Sequence, residues 1–397
     1  MKVRFIASMS SFAGGTMTYT DHLARELQRQ GDQVVLQSDR EGLTELGHQP
    51  YVQPVWTRDY RYPIQNFLAA RRDGGHDVVH LQHEFYLYGG ATSALLFPGM
   101  LGLLRLMDRP VVTTLHGVLS RKAVNDSRIL AGVAIPATVA WPLLSSLQRA
   151  IVASSDAVIV HDAYFREVLA NECGARRSSI FVIPHGVTVD LPHPTRSTAR
   201  GECGLPARAK VLLSFGYLAR YKGLETLLDA FNLVAPGQPE LELVVAGGPP
   251  ARNAKDAEAY LTSLVSRIDP VLRPRVRFVG HVPEPQVSRW FAAADLVVLT
   301  HALPLAASGV LALAQGFGSA VVAPAIAPFV GSVTAPGTLY AAGSVTDLAR
   351  VLKARLNDPN GTGLLEESSR EDGRRSSWAA VARLHHELYE RLIRARG

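Results

Sequence analysis

The stretch "PLAASGVLALAQGFGSAVVAP" (residues 304–324) contains a turn of small residues, an apolar helical run and an apolar strand. A strand-like run, "LVVLT" (296–300), precedes it, so the unit is predicted to be strand, turn, helix and strand. Small residues let a helix N-terminus approach a ligand closely, and the free N–H groups of that terminus favour an anion. Because the stretch has no carboxylate, histidine or cysteine, it predicts an anion site without acid–base chemistry of its own.

The same alternation of strands and helices runs through both halves of the chain. The strand-like runs are nearly continuous in Val, Ile and Leu, which is typical of parallel strands covered by helices on both faces. We therefore predict an α/β fold with two Rossmann-like, doubly wound parallel-sheet domains that face each other across a cleft. The predicted strands are 3–7, 33–37, 78–82, 111–116, 157–161 and 180–184, then 211–216, 241–248, 276–280, 296–300, 320–324 and 338–342.

The segment "DLPHPTRSTARGECGLPARA" (190–209) is rich in Pro, Gly, Ser and Arg and has no apolar period, as expected of an interdomain linker. A polar segment, 357–375, is predicted to be a flexible loop, and an amphipathic helix follows it. The predicted organisation is an N-terminal domain (1–190), a linker (191–208), a second domain (209–375) and a C-terminal helix (376–397) that packs back on the N-terminal domain.

The composition indicates a globular protein, since 47% of the 397 residues are hydrophobic and 19% are charged. The net charge of +6 suits an anionic small molecule or a membrane surface, but no run of five Lys or Arg supports nucleic-acid binding. Two cysteines form no disulfide framework, which predicts a cytoplasmic protein. The uncharged run 129–144 is too short to span a bilayer and contains two prolines, so we predict membrane association at most.

Polar residues follow three predicted strands of the first half. His83 and Glu84 follow one strand, His116 ends another, and His161 ends a third. A single strand-end histidine is more often structural, but three in one parallel sheet point to one crevice. Earlier in the chain, a strand turns into a helix through Gly14 and Gly15, a geometry that admits phosphate although it is not G-x-G-x-x-G.

The second half repeats this plan with basic residues. Arg220 and Lys222 lie in a loop and Gly223 opens the next helix, so cations and backbone donors would act together on a diphosphate. An ordinary solvated basic loop is the alternative. The spacings H-E-x-x-H, H-x-x-E-H, C-x-x-C and D-x-D are all absent, so we expect no metal and no other cofactor.

Taken in order, these elements resemble the GT-B glycosyltransferases of family 4 over nearly the whole chain. The segments that carry the resemblance include "AGGTMTYTDHLARELQRQG", "TLHG", "IFVIPHGVTVD", "FGYLARYKGLETLLDAF", "VRFVGHVP" and the stretch that opens this section. The resemblance implies a hexosyltransferase with a nucleoside diphosphate sugar, UDP- or GDP-linked, on the C-terminal domain. It also implies a hydroxyl acceptor on the N-terminal domain, retention at the anomeric carbon and no metal.

The resemblance also implies roles for single residues. Gly15, together with Gly14, would let backbone approach the donor phosphate, and His116 would lie beside the transferred sugar. Arg220 and Lys222 would neutralise the diphosphate, although the family's Gly-Arg pair is replaced here by Gly216-Tyr217. The residues proposed to face the base and ribose are Gly247, Gly248, Gly280, His281 and Val282, and those proposed for the acceptor are His83, Glu84, Phe85, Tyr86, Arg121 and His161.

Two glutamates that the family commonly places seven residues apart are absent, and Leu305 and Leu313 occupy the matching positions. The first usually holds sugar hydroxyls and the second the ribose. The sequence instead resembles a variant in which Ser308 and the N–H groups of Gly309 and Val310 cradle the diphosphate. The implied chemistry is front-face displacement, with Lys222, Arg220, His116 and Glu84 as the candidate catalytic residues.

Three questions stay open at this level. The apolar segment 118–154 is either a buried helix pair or an acceptor wall that contacts a membrane, helped by Arg121 and Lys122. A nucleotide-sugar epimerase is an alternative activity. A protein that binds a nucleotide sugar without turnover is a third possibility, motivated by the missing glutamates.

Overall fold

The computed structural model describes residues 1–10, 14–41, 51–126, 135–248, 254–358 and 361–396, without the side chains of 254–257 and 361. The chain divides into two compact units. The first comprises Met1–Gly186, Leu305–Ala307 and Trp378–Gly397, and the second comprises Val187–Pro304 and Ser308–Ser377.

The first unit is built on a seven-stranded parallel sheet with the strand order β3-β2-β1-β4-β5-β6-β7. The order reverses direction beside β1, and such a switch point is where open α/β sheets bind ligands at the carboxyl ends of their strands. The strands are β1 (Lys2–Ile6), β2 (Gln33–Asp39), β3 (Val52–Trp56), β4 (Val78–His83), β5 (Val111–Leu115), β6 (Ala157–Val160) and β7 (Ile180–Val182).

The second unit has a six-stranded parallel sheet with the order β10-β9-β8-β11-β12-β13. All six strands coincide with predicted ones, and the α/β fold with two parallel sheets is confirmed. The strands are β8 (Lys210–Phe215), β9 (Leu241–Ala246), β10 (Val276–Gly280), β11 (Leu296–Val298), β12 (Val321–Pro324) and β13 (Leu339–Tyr340).

Helices cover both faces of each sheet. They are α1 (Gly15–Arg29), α2 (Tyr62–Asp73), α3 (Ala91–Arg105), α4 (Arg121–Val124), α5 (Ala137–Ser154), α6 (Ala163–Glu167), α7 (Arg196–Glu202), α8 (Leu224–Val234), α9 (Ala254–Ser266), α10 (Glu284–Ala293), α11 (Gly309–Gly316), α12 (Val345–Leu356), α13 (Gly361–Arg375) and α14 (Trp378–Arg394). A π-helical turn, Val168–Glu172, continues α6. No helix in the described ranges is both long and apolar enough to cross a membrane.

Alternate side chains of each strand enter opposite cores, as the two-residue period of a strand requires. In β1, Ile6 packs with α2, α3 and α5, whereas Phe5 packs with α1 and α14. In β8, Leu212 packs with α8 and α12, whereas Leu213 packs with α7, α10 and α11. Both sheets are therefore buried on both faces, which explains their continuous apolar sequences.

The sequence analysis missed β3. Its sequence, "VQPVW", contains Pro54, which cannot donate to a ladder, and most of its residues are only partly buried. Both properties suit a strand at the edge of a sheet, where β3 lies.

The predicted loop 357–375 was wrong, because Gly361–Arg375 forms α13. The glycines and serines of this segment obscure an apolar stripe, in which Leu365 is buried. The Asp372 carboxylate also accepts hydrogen bonds from the N–H and hydroxyl groups of Thr334, which ties the helix to the second unit.

The predicted linker also contains regular structure. Thr195 caps α7 by accepting a hydrogen bond from the Thr198 N–H. Arg200 within that helix forms an ion pair with Asp295 at 2.6 Å. These contacts place the segment in the second unit, which begins at Val187.

Candidate functional site

In the first unit, α1 begins at a glycine pair. Its N-cap is Gly14, with φ 51° and ψ −126°, and no side chain of a described residue caps it. A Cβ atom at Gly14 or Gly15 would meet no described atom within 4 Å. The positive φ makes Gly14 the position that requires glycine, whereas the family resemblance implies the phosphate-facing role mainly for Gly15.

Glu84 lies next to this terminus. The Thr16 hydroxyl, in the first turn of α1, donates to the Glu84 carboxylate at 2.8 Å. The residues predicted to follow β1 and β4 therefore meet at the same end of the sheet.

His116 is held from both sides. Its Nε2 lies 2.7 Å from the side-chain oxygen of Gln82, and its Nδ1 lies 3.4 Å from Nε2 of His161. His161 must donate from Nδ1 to the Ile183 carbonyl at 3.0 Å. Because the Gln82 side-chain oxygen accepts, His116 donates to it from Nε2. The 3.4 Å contact between His116 and His161 is long for a hydrogen bond. Nε2 of His116 is thus engaged within the protein.

These histidines are neutral. Burial lowers the pKa of His161 to about 3 and that of His116 well below its ordinary value, and the neighbouring histidines add to the effect. The Tyr19 ring packs edge-on against His116 with the centroids 4.7 Å apart, and Trp378 of α14 lies 5.0 Å from Tyr19. Sequence reasoning missed Tyr19 and Trp378, since an aromatic at helical spacing carries no signal beyond core packing.

The predicted acceptor residues separate into two groups. His83 is buried, its ring lies 4.5 Å from that of Phe97, and burial lowers its pKa to about 3, so it does not present a surface to an acceptor. Phe85 is half-buried against His83, whereas Tyr86 is 45% exposed.

Arg121 borders a cavity of about 760 Å³, within the usual size range of small-molecule sites. Its guanidinium lies 5.6 Å from the centre of the Trp141 ring, and its backbone N–H donates to Glu172. The other lining residues are Lys122, Asn125, Asp126 and Asn171.

In the second unit, Lys222 lies against the end of β8. A Cβ atom built on Gly216 would come within 2.5 Å of the Lys222 Nζ and 3.1 Å of the Val310 side chain. The ammonium group therefore lies beside the first turn of α11. Burial lowers the pKa of Lys222 to about 8.

Packing fixes the loop that carries Lys222. Gly223 has φ 62°, and a Cβ there would lie 2.5 Å from the Thr300 carbonyl oxygen, so only glycine fits. The Thr300 hydroxyl donates to the Lys222 carbonyl at 2.6 Å. Arg220 has a different neighbour, since its guanidinium lies 4.8 Å from the centre of the Tyr260 ring. The two predicted cations thus have different surroundings, and Lys222 is the one packed beside α11.

The start of α11 agrees with an anion site. The Ser308 side chain caps the helix by accepting from the Leu311 N–H at 3.2 Å. The N–H groups of Gly309 and Val310 precede the first intrahelical bond and therefore have no partner within the helix. Leu313 packs into the core, and the Leu305 carbonyl accepts from the Val118 N–H, so neither leucine supplies a substitute for a carboxylate.

The five residues predicted to face the base lie together at the ends of β9 and β10. The Gly247 N–H donates to the Gly280 carbonyl at 2.8 Å, and a Cβ on Gly248 would lie 3.4 Å from that of His281. Gly247 has φ 146°, and a Cβ there would lie 2.0 Å from the Gly216 carbonyl oxygen. Val282 is buried next to them.

His301 was missed. It directly follows a predicted strand, so a search for polar residues after strands, as made in the first half, would have found it.

In the described part of the chain, no group of three or more His, Cys, Asp or Glu side chains could hold a metal ion.

Two parallel sheets, each with helix N-termini and polar residues at the strand ends, define a protein with two Rossmann-like α/β domains, a class that binds ligands at the carboxyl ends of its strands. Residues 13–191 match the model of Glycosyltransferase Family 4, and residues 209–358 match that of Glycosyl transferases group 1. The chain belongs to glycosyltransferase family 4, with the GT-B fold, and is a transferase.

Curated relatives support this assignment. The chain is 30% identical over 326 residues to D-inositol 3-phosphate glycosyltransferase 1 of Catenulispora acidiphila, covering 79% of this chain and 72% of that protein. It is 25% identical over 410 residues to D-inositol 3-phosphate glycosyltransferase of Kineococcus radiotolerans, covering 97% and 92%.

Solved structures share the fold. Anabaena HepE in complex with UDP has a TM-score of 0.76 at 19% identity and covers 98% of this chain and 100% of its own. The sucrose-phosphate synthase of Thermosynechococcus elongatus has a TM-score of 0.77 at 21% identity and covers both chains fully.

The lowered pKa of Lys222 predicts how the binding of a nucleoside diphosphate depends on pH. A bound diphosphate favours the ammonium form and raises the pKa of Lys222, so only the protonated protein binds tightly. We expect the affinity for UDP to be constant below about pH 7.5 and to fall by up to about tenfold per unit above pH 8.

Calorimetric titration with UDP between pH 7 and 9.5 measures this dependence. Lys222→Arg should flatten it, because a guanidinium stays charged throughout. A wild-type affinity that does not change through pH 8 contradicts the assignment of Lys222 to the diphosphate.

Proposed function

We propose that this protein is a retaining glycosyltransferase that moves a sugar from a nucleoside diphosphate sugar, UDP- or GDP-linked, to a hydroxyl acceptor without a metal ion. The donor binds the second unit and the acceptor binds the first. Membership of family 4 supports the transfer reaction, and the UDP in the HepE structures makes a UDP-sugar the first donor to test.

The packing of Lys222 beside Gly216 and the start of α11 carries this proposal. The Lys222 side chain is half-buried, and its ammonium group has no hydrogen bond or ion pair with any described residue, so an anionic ligand would stabilise it. Two backbone N–H groups and the positive end of the helix dipole lie on the same side. A diphosphate would satisfy all of these groups at once.

The proposed mechanism depends on where negative charge develops during the transfer. Negative charge grows on the diphosphate as its bond to the sugar breaks, and the ammonium and N–H groups stabilise that charge. No carboxylate lies in the stretch 300–324. The resemblance to family 4 implies front-face displacement, in which the departing diphosphate takes the acceptor proton, and we propose that mechanism here.

The acceptor site comprises the exposed residues at the strand ends of the first unit. Glu84 and Tyr86 lie there, and the cavity beside Arg121 offers amides, charges and an aromatic ring. Such groups suit a hydroxyl-rich acceptor, which includes glycans, lipid-linked saccharides and small aglycones. Because the relatives are named for inositol 3-phosphate, a phosphorylated polyol is the first acceptor to test.

A second candidate function is nucleotide-sugar binding without turnover. Leucines at 305 and 313 favour it, since they remove the carboxylates that usually hold the sugar and the ribose. Turnover of any acceptor excludes this candidate.

The direct test has two stages. A thermal-shift screen against UDP-, GDP-, TDP- and ADP-sugars identifies the donor, and an acceptor panel with that donor then measures transfer. We expect transfer in EDTA at the same rate as without it, and a product with the anomeric configuration of the donor. The proposal is contradicted if EDTA abolishes transfer and Mn²⁺ or Mg²⁺ restores it. It is also contradicted if the product has the inverted anomeric configuration.

The exposed apolar side chains of α5 predict a peripheral membrane contact or a contact with an apolar acceptor. Val139 is 58% exposed and Leu143 47%, four residues apart on one face of the helix. Val139→Asp and Leu143→Asp should leave the melting temperature and donor affinity unchanged, because these side chains pack little. They should raise the acceptor KM or weaken co-sedimentation with anionic vesicles several-fold.

Ala153→Asp, on an exposed position of the same helix, is the matched control and should change none of these quantities. Unfolding of the Val139 and Leu143 variants would instead show that both side chains belong to a buried core. Unchanged acceptor KM and vesicle binding would remove the assigned role of this face.

A further inference from the structure

His301 is fixed beside the loop that carries Lys222. The Thr300 hydroxyl donates to the Lys222 carbonyl at 2.6 Å, and the Ala302 N–H donates to the Tyr221 carbonyl at 3.3 Å. Both chain neighbours of His301 are therefore bonded to this loop. The ring of His301 lies 6.1 Å from that of Tyr221 and 5.2 Å from that of Phe329.

The imidazole of His301 lacks hydrogen-bond partners among the described residues. Its Nδ1 is shielded from solvent and unpaired, and no hydrogen bond involves its Nε2. The residue as a whole is half-buried, and of the two ring nitrogens only Nδ1 is shielded from solvent. A neutral imidazole has one donor and one acceptor, and leaving the shielded nitrogen unpaired is unfavourable. Such groups occur where a ligand completes the hydrogen bonding.

Other polar side chains nearby have structural partners. Between residues 300 and 316, Thr300 bonds the Lys222 carbonyl, Ser308 caps α11, and Gln315 donates to the Ser332 carbonyl. His301 is the remaining polar side chain of this segment. Among the four polar side chains of this described segment, His301 alone makes no hydrogen bond to a described residue.

The charge state of His301 indicates which chemical groups of a ligand it can bind. Burial and the Lys222 ammonium lower its pKa to about 3, so the ring is neutral at any physiological pH. A neutral ring adds no charge for a diphosphate, which Lys222 and the helix N-terminus already match. It can both donate to and accept from hydroxyl groups, as a sugar requires.

We propose that His301 binds the transferred sugar of the donor through a hydrogen bond between its imidazole and a sugar hydroxyl. It thereby helps to determine which sugar is accepted. This inference rests on the proposed function, because it needs a donor diphosphate at Lys222.

The test compares the binding of a nucleotide sugar with the binding of the nucleotide alone. Calorimetry with UDP and with UDP-glucose, or with the donor pair that the screen identifies, is done on wild type, His301→Phe and His301→Asn. We expect the affinity for UDP to stay within about twofold in both variants, since the diphosphate contacts remain. The affinity for UDP-glucose and its kcat/KM for transfer should fall about tenfold or more in His301→Phe, and less in His301→Asn, which keeps a hydrogen-bonding side chain.

His193→Phe, an exposed position of the same unit, makes the same chemical change and should behave as wild type. The inference is overturned if His301→Phe binds UDP-glucose like wild type, or if it loses UDP and UDP-glucose equally with a lower melting temperature. If His301→Phe does not fold, the same comparison of UDP and UDP-glucose affinities in His301→Asn tests the inference. A wild-type protein that binds no nucleoside diphosphate overturns the proposed function and this inference together, whereas unchanged variants of a binding protein overturn this inference alone.

Discussion

The close approach of the Lys222 ammonium to Gly216 is the feature on which the second unit's candidate site depends. It exists because Gly216 has no side chain, because Gly247 leaves room for the Gly216 carbonyl, and because Gly223 lets the loop close on Thr300. All three glycines have a positive φ, which other residues rarely adopt. The result is a half-buried cation beside a helix N-terminus, and such an arrangement can stabilise developing negative charge without reorganising.

The first unit is organised differently. Its histidines at the strand ends are neutral and lie against one another, and they bond to Gln82 and to the Ile183 carbonyl. Tyr19 packs against His116 and His161, and Trp378 of α14 packs against Tyr19. The groups that remain on the surface are Glu84, Tyr86 and the surroundings of Arg121, which suit recognition of hydroxyls better than proton transfer.

The sequence predicted most of the fold, because strands that are buried on both faces are apolar throughout, as in β6 and β11. It missed β3, whose edge position tolerates Pro54, and α13, whose sequence is mostly polar although Leu365 is buried. At the candidate site, Lys222 and Ser308 could be proposed because loops and helix N-termini have local signals. The burial of His83 and the hydrogen bond between His116 and Gln82 could not, since they depend on which neighbouring elements supply partners.

The central claim is that Lys222 stabilises the leaving diphosphate, and single-turnover kinetics of Lys222→Ala with a saturating donor tests it most directly. Removing one such contact should cost about 3–4 kcal/mol, or roughly 10²–10³ in the rate of transfer, with a smaller loss of donor affinity. Lys353→Ala, on an exposed face of α12, is the control for loss of a lysine and should transfer normally. A folded Lys222→Ala protein that transfers sugar at the wild-type rate would contradict the account.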